Sequence, residues 1–381
     1  MKRFLLISLA LAGLISCAKQ TTDLQSNNEI TFRSSVEKKS ATKSNTGIID
    51  GTTFSYSDFG VYGYVSENNT AINGESSTTN GGYIAKNAKY VKSGAIWKPE
   101  SGSYYWPKAD VLSDISVNFV AYAPYANIDA SFNSTDNTIT IPVVATTMDT
   151  ECVDVMYAHT ETAVHPTSDP VDLTFTHALS WIEFQGKFSK NVKEVKITSI
   201  KFSTALKGSG DLVINVKNFS TPTFTNLSNN IEPDFCVNKV LAEQDPGDGT
   251  GSYEVLSDML LIPQNVPAQI TITFNITIEN TTGDEIYYNG RTVTRTINGG
   301  ADANKQENPA NGRDFVSAFE GGKKYVYRVY VTADEITFDV DVDDWDADDN
   351  PFQIWDHNAT AYVEHFFVGA SNVMVKNSII A

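Results

Sequence analysis

Apolar and polar residues alternate with a period of two along most of this chain. The clearest run is QITITFNITIEN, where Ile270, Ile272, Phe274, Ile276 and Ile278 fall on one face and Thr271, Thr273, Asn275 and Thr277 on the other. Successive side chains of a strand point to opposite faces, so this spacing predicts half-buried β-strands. KKYVYRVYVTADEITFDVDVDDW gives two more around an Ala-Asp-Glu turn, with Ile336, Phe338, Val340 and Val342 opposing Thr337, Asp339, Asp341 and Asp343. ISVNFVAYAPY, VDLTFTHALSWIEFQGKF, VKEVKITSIKFS and GDLVINV continue the pattern. Clusters such as NSTDN and DPGDGTGS punctuate the runs, and no stretch of helical length shows a 3.6-residue period. The expected fold is all-β, an antiparallel β-sandwich architecture. At 381 residues the chain is long enough for two domains, expected at 48–186 and 187–381.

The beginning of the chain breaks from this pattern. Lys2 and Arg3 precede FLLISLALAGLI, an apolar run shorter than the ~20 residues of a spanning helix, which ends in LISC. Apolar, apolar, small, Cys at this place resembles the lipobox of bacterial lipoproteins. Residues 1–17 are therefore expected to be a lipoprotein signal cut before Cys17, which becomes the acylated anchor. Residues 18–47 read as a tether carrying one short strand. AKQTTDLQSNN is polar and aperiodic; EITFRSSV then alternates Ile30 and Phe32 with Thr31 and Arg33; a polar, lysine-bearing run follows.

The other end is unusual too. After DDWDADDNP the chain runs on through FQIWDHNATAYVEHFFVGASNVMVKNSIIA. Tyr362, Val363, Phe366, Phe367, Val368, Val373, Val375, Ile379 and Ile380 make this tail, about 351–381, strand-prone. An apolar strand at a free terminus is an aggregation hazard unless something pairs with it. It is either a last edge strand of its own domain or a strand kept for another molecule.

Composition narrows the function classes. A net charge of −18 argues against nucleic acid, whose phosphates need a basic surface. Beyond Cys17 only Cys152 and Cys236 remain, either paired or as two buried thiols. His159 and His165 lie across a Pro-containing loop without a third ligand, and His177 sits within a strand pattern. Asp344, Asp346 and Asp348 open like a calcium loop, but Asp349 and Trp355 stand where Gly and Glu are needed. No nucleophile elbow, P-loop or dinucleotide fingerprint occurs, so no enzyme, metal or cofactor is expected. Trp97, Tyr104, Tyr105 and Trp106 are candidates for stacking on sugars, although Trp106 reads better as core.

The ordered set of segments resembles the fimbrillin family, the subunits of type V pili. It comprises the lipobox, EITFRSSV with its polar tract, FGVYGYV (59–65), YYWPKADVLSDISVNFVAYAPY (104–125), VDVMYA with LTFTHALSWIEFQ, and ITFDVDVDDW (336–345). The resemblance implies two tandem transthyretin-like, Greek-key sandwiches and transport to the outer membrane as a lipoprotein. It implies removal of the N-terminal segment, with Ile30 and Phe32 on the removable strand. An arginine-specific protease makes that cut in the family. Here Arg33 lies inside the strand and the tether offers Lys38, Lys39 and Lys43, so Arg33 and Lys43 are the candidate sites. The emptied groove would accept the tail of a neighbouring subunit. The implied partners are other pilus subunits, membrane lipid through Cys17 before processing, and a host or bacterial surface ligand. The alternative is an anchor or tip adhesin on the same scaffold.

Overall fold

The structure, a computed structural model of the chain, describes residues 25–36, 54–67, 70–71, 82–107, 115–125, 129–145, 153–190, 192–217, 219–236, 238–242, 244–245, 252–279, 285–296, 317–332, 336–344 and 373–376. Every helix or strand among them is a strand, so the protein is all-β. The alternating runs fold as their period dictates. Gln269–Glu279 is one strand, and Lys323–Val331 pairs antiparallel with Ile336–Asp344.

The N-terminal half builds an eight-stranded sheet whose ladders return on themselves. Asp58–Glu67 pairs with Tyr83–Ser93 on one side and Ile115–Ala123 on the other. From Ile115–Ala123 the circuit passes to Met156–His159 and then Val171–His177. It continues through Phe32–Val36 and Ile96–Pro99 back to Tyr83–Ser93. Phe59, Val61, Tyr90, Trp97, Val117, Phe119 and Phe175 fill its interior. Ile115–Ala123 reads as a nearly unbroken apolar run because both its faces are covered: Phe119 points into this core, while Val120 and Tyr122 point outward into a second one. The phenolic end of Tyr122 lies against Gly60, where an added Cβ would come within 2.4 Å of it.

That outer face is covered by a four-stranded sheet of Thr223–Ile231, Leu206–Asn215, Thr138–Val144 and Ser131–Asn133. Ile139, Ile141, Leu212 and Ile214 meet Tyr62, Tyr64 and Trp181 there. The C-terminal half stacks two five-stranded sheets. One centres on Ser180–Ser189 and Lys323–Val331, the other on Val192–Phe202 and Gln269–Glu279. Their inner faces, with Phe184, Ile197, Ile272, Phe274 and Tyr327, form the largest core cluster.

Ser180–Ser189 is continuous through residue 186, the position at which the sequence suggests a division. Ile182, Phe184 and Phe188 enter the C-terminal core, whereas Trp181 belongs to the cluster shared with the N-terminal half. The strand also carries buried charges, and each has a counter-charge: Lys324 lies 3.0 Å from Glu183, and Lys187 lies 3.2 Å from Asp245.

Most ladders are antiparallel, but Phe32–Val36 runs parallel to Val171–His177, as Ser180–Ser189 does to Lys323–Val331. Parallel neighbours cannot be joined by a tight turn, and here long stretches of chain separate them. Period-two alternation carries no information about strand direction.

Candidate functional site

The groove that holds Phe32–Val36 is the candidate site. Its walls are Val171–His177, Ile96–Pro99 and the interior of the eight-stranded sheet. The segment alternates as a strand should. Ile30, Phe32 and Val36 are buried, while Arg33 and Ser35 are exposed. The Phe32 ring meets three aromatic rings edge-on, with centroids 4.8 Å from Tyr90, 5.1 Å from Phe119 and 6.2 Å from Phe59. Burying three such side chains contributes roughly 5–9 kcal/mol gross.

Polar contacts fix the register. The Ile30 amide donates to the Tyr104 carbonyl at 2.7 Å, and the Val171 amide donates to the Thr31 carbonyl at 2.8 Å. Tyr90 donates its hydroxyl to the Ile30 carbonyl at 3.2 Å. Burial raises that phenol's pKa far above its usual value, so it stays a donor. The Trp97 indole donates to Ser34 Oγ at 2.8 Å, and Ser35 and Thr174 hydroxyls lie 3.3 Å apart. On the outer face, the Arg33 guanidinium binds Asp172 with both forks, at 2.7 and 3.2 Å. That carboxylate raises the arginine's pKa further. Ahead of the strand, Gln25–Glu29 pairs with Tyr105–Pro107.

A cleft of about 620 Å³ opens beside the strand, with Arg33, Tyr157, His159, Glu161, Asp169 and Asp172 among its lining residues. His159 stacks on Phe219 with centroids 3.6 Å apart, and His177 is buried with Nδ1 2.9 Å from Asp154. Trp106 is core, 1% exposed, as its apolar context suggests. Cys236 is a buried free thiol, its pKa lifted to about 11 by burial.

Ile30, Phe32 and Arg33 thus lie together in one groove. Val373 and Val375 lie elsewhere, on Val373–Lys376, which pairs antiparallel with Glu285–Thr296 at a sheet edge. Cys17, Lys43, Tyr362, Val363, Phe366, Phe367, Val368, Ile379 and Ile380 lie outside the described residues. Sequence reasoning missed Val36, although it shares the inward face of Ile30 and Phe32. It also missed Trp97 as the partner of Ser34 and Asp172 as the partner of Arg33, for which no local signal exists.

A fimbrillin-like family model matches residues 46–345. The chain belongs to the fimbrillin-like family. The match begins after Phe32–Val36 and ends before Val373–Lys376. Among solved structures, this fimbrillin-like protein is similar to a fimbrial protein from Bacteroides vulgatus, with TM-score 0.50 and 18% identity over 84% of this chain and 100% of that one. A Bacteroides ovatus protein provisionally named for cell adhesion gives 0.47 and 16%, over 84% and 98%. The C-terminally truncated tip fimbrial protein Mfa3 from Porphyromonas gingivalis gives 0.36 and 10%, over 83% and 100%. At these identities the likeness concerns the fold alone. No curated protein matches the chain in sequence.

Proposed function

We propose that this fimbrillin-like protein is a non-enzymatic structural subunit of a type V, Bacteroidales-type pilus serving cell adhesion. It is exported as an outer-membrane lipoprotein acylated at Cys17 and polymerises by protease-triggered donor-strand exchange. The observation that carries the reading is the seat of Phe32–Val36. A segment preceding the family-matched region fills a groove bounded by strands on both sides, with Ile30, Phe32 and Val36 buried. Removing it would leave an apolar groove and an unpaired ladder, which an extended strand from another subunit can restore by β-augmentation. While the segment stays covalently attached, its effective concentration excludes any competitor, so a cut must precede exchange.

The position of the cut separates this reading from a second one. Arg33 is in the strand, its guanidinium bound to Asp172, so it is poorly offered to a protease. Cleavage at Lys43 in the polar tether would release the strand without first unfolding it. An uncut protein would remain a membrane-held anchor. The test is intact-mass and N-terminal analysis of protein shed from cells, beside SDS-resistant ladders. A new N-terminus near Lys43 or Arg33, with ladders lost on deleting residues 357–381, is expected. A persistent acylated Cys17 with no ladder overturns the subunit reading and leaves the anchor or tip adhesin.

A further inference from the structure

We propose a register for the exchange: segment 373–379 of a second copy takes the seat of segment 30–36, with Lys376 replacing Arg33 opposite Asp172. The inference rests on the strand-exchange reading above and adds to it the alignment of the donor.

The two segments read ITFRSSV and VMVKNSI. With Val373 on the position of Ile30, Val375 falls on Phe32 and Ile379 on Val36, which are the three buried places of the groove. Lys376 falls on Arg33, the exposed cation held by Asp172. Asn377 falls on Ser34, whose oxygen accepts the Trp97 indole N–H, and an asparagine carbonyl accepts the same bond. Ser378 falls on Ser35, which faces the Thr174 hydroxyl. Apart from the Phe32 seat, where Val375 is apolar but smaller, each of these places finds a matching residue type in the tail.

Other alignments fit less well: placing Val363 on Phe32 keeps apolar residues at the buried places but sets Glu364 against Asp172. Placing Phe366 on Phe32 puts Glu364 on the buried Ile30 position, and placing Phe367 there puts His365 on it. Lys376 is also the only lysine or arginine after Arg328, so only one alignment sets a permanent cation against Asp172. A one-residue slip would turn Val373, Val375 and Ile379 to the outer face and bring Lys376 to the inner one.

The competing seat is weaker. On its own subunit, Val373–Lys376 adds to one edge of Glu285–Thr296, from Tyr288↔Val373 to Glu285↔Lys376. The Glu285 carboxylate there is already paired with Lys193. The emptied groove offers neighbouring strands on both sides, where this edge offers one. The tail therefore gains a second ladder by moving into it.

Disulfide trapping in assembled polymers tests the register. Directly opposed strand positions lie within disulfide reach, so Asp172→Cys combined with Lys376→Cys should yield reducible links between copies. Asp172→Cys combined with Met374→Cys or Ser378→Cys should not. If ladders persist but the link forms at 374 or 378, the register is overturned and strand exchange stands. If the unaltered protein forms no ladder, strand exchange falls and the register with it. As a second readout, Asp172→Lys should speed ladder dissociation severalfold and Lys376→Glu in the same chain should reverse it. Absence of that rescue also counts against the register.

Discussion

Phe32 and Trp97 form the only Cα pair that joins Phe32–Val36 to Ile96–Pro99. On its other side the same strand is laddered from Phe32↔Val171 to Val36↔Phe175. The Trp97 indole compensates by donating to Ser34 Oγ at 2.8 Å. The N-terminal strand is thus held by a full ladder on one flank and by one ladder pair and a side-chain bond on the other. Trp97→Phe keeps an aromatic ring against Phe54 and Phe59 but removes the donor. The expected cost is about 1 kcal/mol. Amide hydrogen exchange should quicken at Ser34 and Ser35 while the C-terminal core is unchanged. Equal acceleration in both halves would mean that this bond does not guard the strand.

Phe32→Ala should destabilise the precursor by about 3–5 kcal/mol, because the ring is fully buried against Tyr90, Phe119 and Phe59. In a polymer that has shed the segment, the residue is gone and the substitution should have no effect. Denaturant unfolding of precursor and shed material, with and without the substitution, separates the two. An equal loss in both would show that the first strand stays in place after assembly.

Much of this groove is legible in the sequence, and the reasons for the rest are physical. Ile30 and Phe32 betray themselves by alternation, since a strand with one buried face repeats every second residue. Ile270 to Ile278 do the same in the C-terminal core. Arg33 is recognisable as an outward residue on the same ground. Its partner Asp172, and the Trp97 donor of Ser34, lie far away in sequence and meet it only through the ladder. The parallel direction of the Phe32–Val36 ladder is hidden because alternation looks identical in both directions. Glu183 and Lys187 run against the expectation that charges mark a solvated face. Their counter-ions Lys324 and Asp245 come from neighbouring strands that no local window contains.

Buried acids make an alkaline limit to stability. Burial raises the Cys236 thiol to about 11 and the Tyr325 phenol to about 12, and lifts Tyr90 and Tyr327 further still. The unfolded chain would ionise these groups near their ordinary values of 9.0 for Cys and 10.0 for Tyr. The folded state therefore binds these protons more tightly. Its advantage is whole below about pH 9 and is lost as pH rises through the folded values. The thermal midpoint should be flat from neutral pH to about 9 and then fall, with tyrosinate absorbance appearing on unfolding. Tyrosinate absorbance growing near pH 10 to its full unfolded level, without loss of structure, would contradict the burial of these phenols.

The register places Val375 in the seat now filled by Phe32, and valine is the smaller of the two. The unfilled volume lies among Tyr90, Phe119 and Phe59, whose rings now contact Phe32 edge-on. Large-to-small differences at such positions leave a cavity whose cost scales with its volume. Val375→Phe should restore the ring, stabilise the donor strand by roughly 1–3 kcal/mol and raise the temperature at which SDS-resistant ladders dissociate. On its own subunit, position 375 lies opposite Ile286 at a sheet edge. In the precursor the groove seat is already filled by Phe32, so the gain at that seat should show in the polymer. A ladder weakened by Val375→Phe would mean that this side chain meets a filled site, and that another tail residue occupies the place of Phe32.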